Sequence, residues 1–374
     1  MIQRHNNLNI LVTGADGFIG KNVVDYLKNN QYCVTTFTRG DSNESLKKIV
    51  KKMDFIVHLA GENRPSNLSE FKTINVDLTR TLCDAIRTSK RKVSLILSSS
   101  IQVKLNNHYG KSKLAAEEVV IKMSKETGNP VYIYRLPNVF GKWCKPNYNS
   151  VVATFCYNIA NNIPIKISDS SKNLNLIYID DLVSDFVEVI QKPSLGVSNL
   201  TVEPEYSISL GNLAKQIKVF KRSRENLITE PVGKGLVRAL YSTYVSYIPA
   251  SQFVYPLLQN KDDRGIFVEI LKTKDSGQFS YFTSSPGVTR GEHYHHSKTE
   301  KFVVIQGSAK FKFRNIITNE NYELYSSGEK PQVVESSPGW AHNITNIGNN
   351  QMIVMLWANE IFNTKYPDTI GCEV

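Results

Sequence analysis

The sequence predicts two domains of different class: a doubly wound α/β domain built on a parallel sheet, followed by an all-β barrel or jelly roll. Three observations predict it. The 374 residues exceed one ordinary domain and suit two. Up to about residue 245, short apolar strands alternate with amphipathic helices, the pattern of a parallel sheet covered on both faces. Beyond that point strand-like segments follow one another with turn residues and no helices between them, as in closed or double-sheet β folds.

Asn9–Thr13 opens the first domain as an apolar strand that ends at a glycine loop. Cys33–Thr38, Phe55–Leu59, Val93–Leu97 and Val131–Arg135 are the next short apolar or β-branched runs, and each reads as a strand. Val76–Arg87 and Lys113–Ser124 have the amphipathic spacing of helices. In the second domain the expected strands are Phe267–Lys272, Gln278–Thr283, Lys301–Gln306, Ala309–Phe313, Asn321–Leu324, Gln332–Glu335 and Met352–Trp357. The boundary falls near Tyr247–Phe253, around Ile248-Pro249-Ala250-Ser251. This gives a first domain over 1–247 and a second over 248–374.

Hydrophobic residues make up 41% of the chain, enough for two cores. No apolar run reaches the roughly 18 residues of a membrane span, so no membrane partner is expected. The first residues run straight into a strand and leave no room for a secretory signal, so the expected location is the cytoplasm. Cys33, Cys83, Cys144, Cys156 and Cys372 are odd in number and scattered, which suits free thiols in a reducing compartment. The net charge is +11, but the basic residues are dispersed over stretches such as Lys47–Lys52, Arg87–Lys92 and Lys218–Arg224. These read as solvated helix faces rather than a nucleic-acid surface, and a basic surface also suits anionic small molecules.

Thr13-Gly14-Ala15-Asp16-Gly17-Phe18-Ile19-Gly20 follows a strand and opens a helix. Gly14 permits the tight turn, Gly17 lets the backbone approach a pyrophosphate, and Gly20 allows close packing of helix on strand. The helix start then offers N–H groups and a positive dipole end to phosphates, so this is a Rossmann-type dinucleotide site. The second strand ends at Phe37-Thr38-Arg39-Gly40, where an acidic residue would select the ribose hydroxyl of NAD. Arg39 instead offers a guanidinium fork to a 2′-phosphate, which favours NADPH; otherwise it is a plain surface residue. The expected cofactor-binding set is Gly14, Asp16, Gly17, Phe18, Ile19, Gly20, Arg39, Leu59, Ala60, Gly61 and Lys113.

Tyr109 and Lys113 stand four apart, on one face of a helix, in Tyr109-Gly110-Lys111-Ser112-Lys113. A tyrosine of ordinary pKa is a poor acid or base at neutral pH, and a nearby ammonium favours its phenolate. Upstream, Ser98-Ser99-Ser100 at a strand end can supply a hydroxyl to a substrate carbonyl. His58, inside an apolar strand, reads as a satisfied core histidine.

Together these pieces resemble the extended short-chain dehydrogenase/reductases that act on nucleotide sugars. The matching stretches are 13–20, 54–61, 75–79, 98–100, 109–113, 135–141 and 176–182. The resemblance implies that Gly61 lies near the cofactor and that Ser100, Tyr109 and Lys113 are catalytic, with Ser99 as the alternative to Ser100. It places Asn138 in the nicotinamide and substrate region, unless it is simply a turn-forming residue. It also sets Lys142 and Asn147 where the sugar nucleotide binds. Only eight residues separate Ser100 from Tyr109, fewer than in such relatives, which suggests a more open substrate mouth.

The second domain carries Gly287, then His293 and His295, then Glu300 and Gly307; downstream come Pro338, Gly339, His342 and Asn346. This spacing matches the two-part signature of cupins. His293 and His295 alternate on a strand, so both imidazoles face the interior, and Glu300 and His342 join them from neighbouring strands. Three imidazoles and a carboxylate suit Zn²⁺, and also Fe, Mn or Ni. The alternative is a metal-free cupin whose histidines act as acid and base. His296 should point outward. Asp263–Glu269 resembles the opening of sugar-epimerase cupins, in which Arg264 would hold a diphosphate or form a structural ion pair.

Over nearly its whole length the chain resembles the bifunctional enzymes of capsular polysaccharide synthesis. The stretches 141–151, 241–244 and 255–258 add to the motifs above. The resemblance implies C3 epimerisation of a UDP-linked 4-keto-6-deoxy-N-acetylhexosamine by the cupin domain. The reductase domain would then reduce the C4 ketone with NADPH, giving UDP-2-acetamido-2,6-dideoxy-talose on the route to UDP-L-FucNAc. It also implies a homodimer held through the cupin domains. The rival readings are a redox-neutral NAD-dependent epimerase or dehydratase, and a non-catalytic dinucleotide sensor with a ligand-binding cupin.

Overall fold

The computed structural model describes residues 8–374. They fall into two compact units, one reaching Ile217 and including Ala239–Ile248, the other made of Lys218–Arg238 and Pro249–Val374. In chain order the first part runs β1 (Asn9–Thr13), α1 (Phe18–Asn29), β2 (Cys33–Phe37), α2 (Asn43–Val50), β3 (Phe55–His58), α3 (Leu78–Ser89), β4 (Ser94–Ser100), α4 (His108–Thr127) and β5 (Val131–Leu136). There follow β6 (Asn138–Phe140), α5 (Val151–Ala160), β7 (Asn173–Tyr178), α6 (Ile179–Gln191), β8 (Val197–Leu200), β9 (Tyr206–Ser209), α7 (Leu210–Asn226) and α8 (Gly235–Val245).

The main sheet of the first unit has the order β2-β1-β3-β4-β5-β8, and every pairing in it is parallel. Its strands are apolar on both faces because helices cover both. Ile10, Leu11, Val12, Leu95, Ile96 and Ile133 have no exposed surface. Leu46, Val50, Leu82, Ile86 and Val120 bring helix faces onto one side of it. The strand order reverses at β1, so the loops leaving β1 and β3 diverge and open a crevice at the carboxyl edge of the sheet. Gly14, Arg39, Gly61, Ser100 and Asn138 all follow or end strands at that edge. Three strands, β6, β7 and β9, make a separate small sheet.

The second unit contains β10 (Gln259–Asp262), β11 (Gly265–Thr273), β12 (Gly277–Ser284), β13 (Thr289–Tyr294), β14 (Glu300–Gln306), β15 (Ser308–Asn315), β16 (Asn321–Ser327), β17 (Val333–Ser336), β18 (Trp340–Asn346), β19 (Met352–Ala358) and β20 (Ile370–Gly371). They form two antiparallel sheets, β10-β11-β12-β19-β14-β17 and β16-β15-β18-β13-β20. Strand alternation turns Ala309, Phe311 and Phe313 of β15 inward, where they meet Phe282, Phe302, Val304, Ile344 and Val354. This is the double-sheet β fold that the sequence predicts.

Segment 227–230 is held by the second unit, although the sequence reading kept everything up to 247 with the first. The backbones of Leu227 and Thr229 exchange hydrogen bonds with Lys272 on β11, and Glu230 pairs with Lys274 at 2.9 Å. Strands β13 and β18 were expected only from their histidines. Their inward positions carry polar side chains, which hides the apolar alternation. Strand β4 extends past Leu97 because Ser98, Ser99 and Ser100 continue the ladder with β5. Helix α4 starts earlier than Lys113 because Asn107 caps it, accepting the Gly110 N–H at 2.7 Å. Among the described residues no helix is long and apolar enough to cross a membrane.

Candidate functional sites

The glycine loop between β1 and α1 is built as the motif requires. Gly14 has φ +68°, and a Cβ there would meet the backbone N of Ala60 at 2.6 Å. At Gly20 a Cβ would lie 2.2 Å from the Gly14 carbonyl oxygen. Gly17 caps α1 without a side chain, leaving first-turn N–H groups for an anion. Leu59 and Ala60 face this loop from just beyond β3, and Gly61 next to them leaves tight space for a side chain. A Cβ on it would stand 3.1 Å from Lys113 Nζ and 3.2 Å from Asn75 Oδ1. The residues present therefore fit a dinucleotide.

Two supports of that loop were not foreseen. Asn75 accepts the Glu62 N–H at 2.7 Å and donates to the Glu62 carbonyl and to Ser112 Oγ. His58 is bonded on both ring nitrogens, to Thr13 Oγ1 at 2.7 Å and Thr79 Oγ1 at 2.9 Å. Because Thr79 donates to the Asn75 carbonyl, His58 Nε2 must carry the proton, and Nδ1 accepts from Thr13. Burial pushes the His58 pKa down to about 3, so the ring stays neutral. Arg39 stands at the end of β2 with its guanidinium largely exposed and paired to Glu62 at 2.9 Å. Burial raises the Glu62 carboxyl, but the Arg64 and Asn63 N–H groups and Arg39 outweigh it and hold it below the usual range.

Tyr109 lies in the first turn of α4, under the ring of Phe71 at 6.0 Å. Burial holds its phenol above the ordinary value, and a hydrogen bond with Ser100 pulls the other way. The structure thus brings Ser100 to Tyr109. Ser99, on the opposite face of β4, donates to the buried carboxylate of Glu117 at 2.5 Å, which also pairs with Arg135 at 2.7 Å. Lys113 is buried and donates to the Ser98 carbonyl at 2.9 Å. Burial pushes its pKa down to about 8 against the pull of Glu117. Glu117 and Arg135 carry no motif signal; the one pattern that could have pointed to them is the four-residue spacing of Lys113 and Glu117, one helical turn.

The remaining first-unit residues are more dispersed. Asn138 is exposed and donates to the Asn175 carbonyl at 3.2 Å. Lys142 pairs with Asp180 at 2.8 Å and lies over the Trp143 ring. Asn147, at φ +54°, is engaged by Thr154 and Asn158, which gives its side chain a local role in the loop before α5.

In the second unit, the ligand atoms of His293, His295, Glu300 and His342 all lie within 4.8 Å of one another. His295 Nε2 and His342 Nε2 are each 3.2 Å from Glu300 Oε2, and His293 Nε2 is 4.0 Å away. Tetrahedral zinc with bonds near 2.1 Å sets ligand atoms about 3.4 Å apart. His293 Nε2 is buried with no hydrogen-bond partner. His295 Nδ1 faces the carbonyl oxygen of Asp368 and so must carry its proton. In a neutral ring that aims the lone pair of Nε2 at a carboxylate oxygen, an arrangement that calls for a cation between them. Burial alone would raise the Glu300 carboxyl, and the buried ammonium of Lys298, 3.7 Å from Oε1, pulls it the other way. The donor set fits a divalent metal. His296 is exposed, but it lies past the end of β13 in a turn, so strand alternation is not what turns it outward.

A cavity opens onto this cluster, walled by Phe282, Phe302 and Phe311 and flanked by Arg264 and Arg290. Arg264 is paired with Asp262 at 2.5 Å, so it is at once an ion-pair member and a cavity residue. Arg290 escaped the sequence reading because it stands three residues before His293, an odd spacing on a strand. A bulge between Gly291 and His293 corrects the parity, pairing Arg290 with Ile344 and His293 with His342.

Residues 10–203 match the NAD dependent epimerase/dehydratase family, and residues 260–370 match the polysaccharide biosynthesis C-terminal domain. The chain is 53% identical to the UDP-2-acetamido-2,6-beta-L-arabino-hexul-4-ose reductase of Pseudomonas aeruginosa, over 98% of this chain and 99% of that one. It superposes on the capsular polysaccharide assembling protein CapF from Staphylococcus aureus with a TM-score of 0.92 and 43% identity, covering 98% of this chain and all of CapF. A UDP-glucose 4-epimerase from Thermotoga maritima, 20% identical with a TM-score of 0.54, shares the fold over 64% of this chain. The chain belongs to the NAD dependent epimerase/dehydratase family, in the branch that carries a polysaccharide biosynthesis C-terminal domain and includes CapF.

Proposed function

We propose that the chain is a bifunctional nucleotide-sugar enzyme of polysaccharide biosynthesis. Its β unit epimerises C3 of a UDP-linked 4-keto-6-deoxy-N-acetylhexosamine, and its α/β unit reduces the C4 ketone with NADPH to UDP-2-acetamido-2,6-dideoxy-talose. The observation that carries this reading is the presence of two complete constellations on one polypeptide. One is the Ser100–Tyr109 pair with Lys113 a helical turn behind; the other is the His293, His295, Glu300 and His342 cluster under a cavity bearing two guanidiniums.

NADPH, when bound, supplies a hydride to the carbonyl carbon. In the reductase site the chain's own task is to hold the ketone oxygen and protonate it. Ser100 and Tyr109 both offer O–H donors to that oxygen, and Tyr109, kept protonated by burial, gives up its proton as the alkoxide develops. Lys113 then steadies the phenolate. Exposed Ile101 and Leu105, between Ser100 and α4, give this mouth an apolar lip suited to a 6-deoxy sugar. Arg39 supports NADPH over NADH through its charge at the end of β2.

The metal, Zn²⁺ in the first instance, would be held by His293, His295, Glu300 and His342 and supplies Lewis acidity when bound. A C4 ketone acidifies the C3 proton, so a base can remove it and reprotonation can invert the centre. Arg264 and Arg290 line the cavity with positive charge, which favours an enolate and an anionic sugar diphosphate. Two further readings are supported more generally. The free cysteines suit the cytoplasm. Exposed Tyr322 and Tyr325 on edge strand β16, with exposed Val333 on edge strand β17, suit a homodimer formed through the β unit.

The test is to incubate the protein with the 4-keto sugar nucleotide in deuterated water, with and without NADPH. Deuterium at C3 without NADPH, and oxidation of NADPH with formation of the alcohol, are the expected results. NADPH oxidation without exchange at C3 would remove the epimerase half of the proposal.

A further inference from the structure

We propose that the segment Asp368–Val374 is the positioning element of the metal site, fixing the ring of His295 and the carboxylate of Glu300 so that the ion is held tightly. This rests on the reading of the His/Glu cluster as a metal site. The cluster's ligands come from β13 and its exit, from β14 and from β18. By itself that framework leaves one edge of β13 open, and it ties the loop from His295 to Glu300 at its ends, to Gly339 and Asn359, but not through His296, Ser297 and Lys298 in its middle.

The segment closes both gaps. Strand β20 lies antiparallel on β13, pairing Gly371 with His293 and Ile370 with Tyr294. Just before it, the backbone carbonyl of Asp368 accepts the Nδ1–H of His295. The Asp368 carboxylate accepts three successive N–H groups, from His296, Ser297 and Lys298, each at 2.8 Å, and the Ser297 hydroxyl at 3.0 Å. One side chain therefore shapes the turn that carries the chain from one ligand to the next. Thr369 Oγ1 accepts from Lys298 Nζ at 3.0 Å, and that buried ammonium stands 3.7 Å from Glu300 Oε1. This is the carboxylate oxygen that does not face His295 and His342.

The bulge residue Glu292 completes the arrangement. It sits at φ +60°, a conformation that side-chain-bearing residues seldom adopt, directly before His293. The Cys372 N–H donates to its carbonyl at 2.8 Å, and the Val374 N–H donates to its carboxylate at 3.0 Å. Asn343 holds the other carboxylate oxygen at 2.7 Å. The segment thus touches His293 through strand pairing, His295 through its tautomer, and Glu300 through Lys298. A histidine whose far nitrogen loses its partner can rotate and change tautomer, and such losses typically cost about 10–100-fold in metal affinity.

The test measures Zn²⁺ affinity of the full chain by competition with a chromophoric chelator, alongside thermal unfolding of the metal-free forms. Asp368→Ala is expected to weaken zinc binding about 10–100-fold, with Lys298→Met and Thr369→Val weakening it less. Val354→Ala, which cuts the core between the sheets, should lower the unfolding temperature and leave zinc affinity within about threefold. If Asp368→Ala binds zinc like the parent while unfolding earlier, the segment is only structural and the proposal fails. Should Asp368→Ala not fold, unchanged affinity in both Lys298→Met and Thr369→Val overturns the proposal equally. A parent protein that shows no zinc affinity overturns the metal reading itself, and this inference with it.

Discussion

The two constellations are assembled in opposite ways. Tyr109 and Lys113 share one helix, and Ser100 ends the strand just before it, so the reductase set lies within a short stretch of chain. The four residues of the proposed metal site are spread from His293 to His342, and their supports reach Asp368 and beyond. A helix turn fixes its own geometry, because side chains four apart must share a face. A cluster drawn from separate strands has no such guarantee and depends on register, a bulge and a docking segment. The reductase site should therefore be sensitive mainly to the reacting groups themselves, and the metal site to residues that never touch the ion.

The largest effect falls on the proposed proton donor. Tyr109→Phe is expected to lower NADPH turnover on the 4-keto sugar nucleotide by about 10²–10⁴-fold, the range of a lost general acid. NADPH affinity, measured by fluorescence titration, should stay within a few-fold of the parent. Deuterium exchange at C3 without NADPH should be unchanged. Loss of exchange in this variant would mean that one site does both jobs, and the comparison would break.

Next is Glu300→Gln, which removes the carboxylate that three imidazoles face. Metal content per chain, read by elemental analysis, should drop to a small fraction, with zinc affinity lowered by more than about 100-fold. NADPH binding should be unaffected. Full metal occupancy in this variant would mean that the cluster is held by the histidines alone, or that the ion sits elsewhere.

Much of this was legible because it is local. The glycine loop, the Tyr109–Lys113 pair and the Gly287–Gly307 spacing all encode geometry in intervals of a few residues. Hidden from the sequence were groups defined by pairing across the fold. Arg290 stood at the wrong parity until the bulge at Glu292 corrected it. Asp368 is separated from the histidine it serves by more than seventy residues, and nothing around it forms a motif. Ser99 and Ser100 were indistinguishable by type, and only the two faces of β4 separate them. The tie of Leu227–Glu230 to Lys272 and Lys274 was invisible for the same reason, since a short unpatterned segment carries no sign of the strand it joins.

A smaller effect sharpens the reductase side through pH. The ordinary lysine value is 10.5, and burial brings Lys113 down to about 8. Its charge is therefore present below that value and lost as pH rises through it. Tyr109 is shifted upward and stays protonated over the same interval. The alkaline limb of kcat/KM for reduction should thus bend near pH 8 and fall by about tenfold per unit above it. A profile flat from pH 7 to 9.5 would show that the lysine charge is not needed for the rate.

The smallest expected change is at Ser99, and it tests whether neighbours on one strand can be told apart by face. Ser100 shares a hydrogen bond with the phenol, while Ser99 turns away to the Glu117–Arg135 pair. Ser100→Ala should lower kcat for reduction by about 10–100-fold, the scale of one hydrogen bond made to developing charge. Ser99→Ala should leave kcat within about threefold and cost about 1 kcal/mol of stability, since Glu117 keeps its guanidinium partner when the hydroxyl goes. Steady-state kinetics with denaturant unfolding on the two variants separates these outcomes. Equal losses of kcat would mean that the carboxylate network behind β4 reaches the reacting groups as directly as the phenol does. In that case locality would not explain why the reductase site is so compact in sequence.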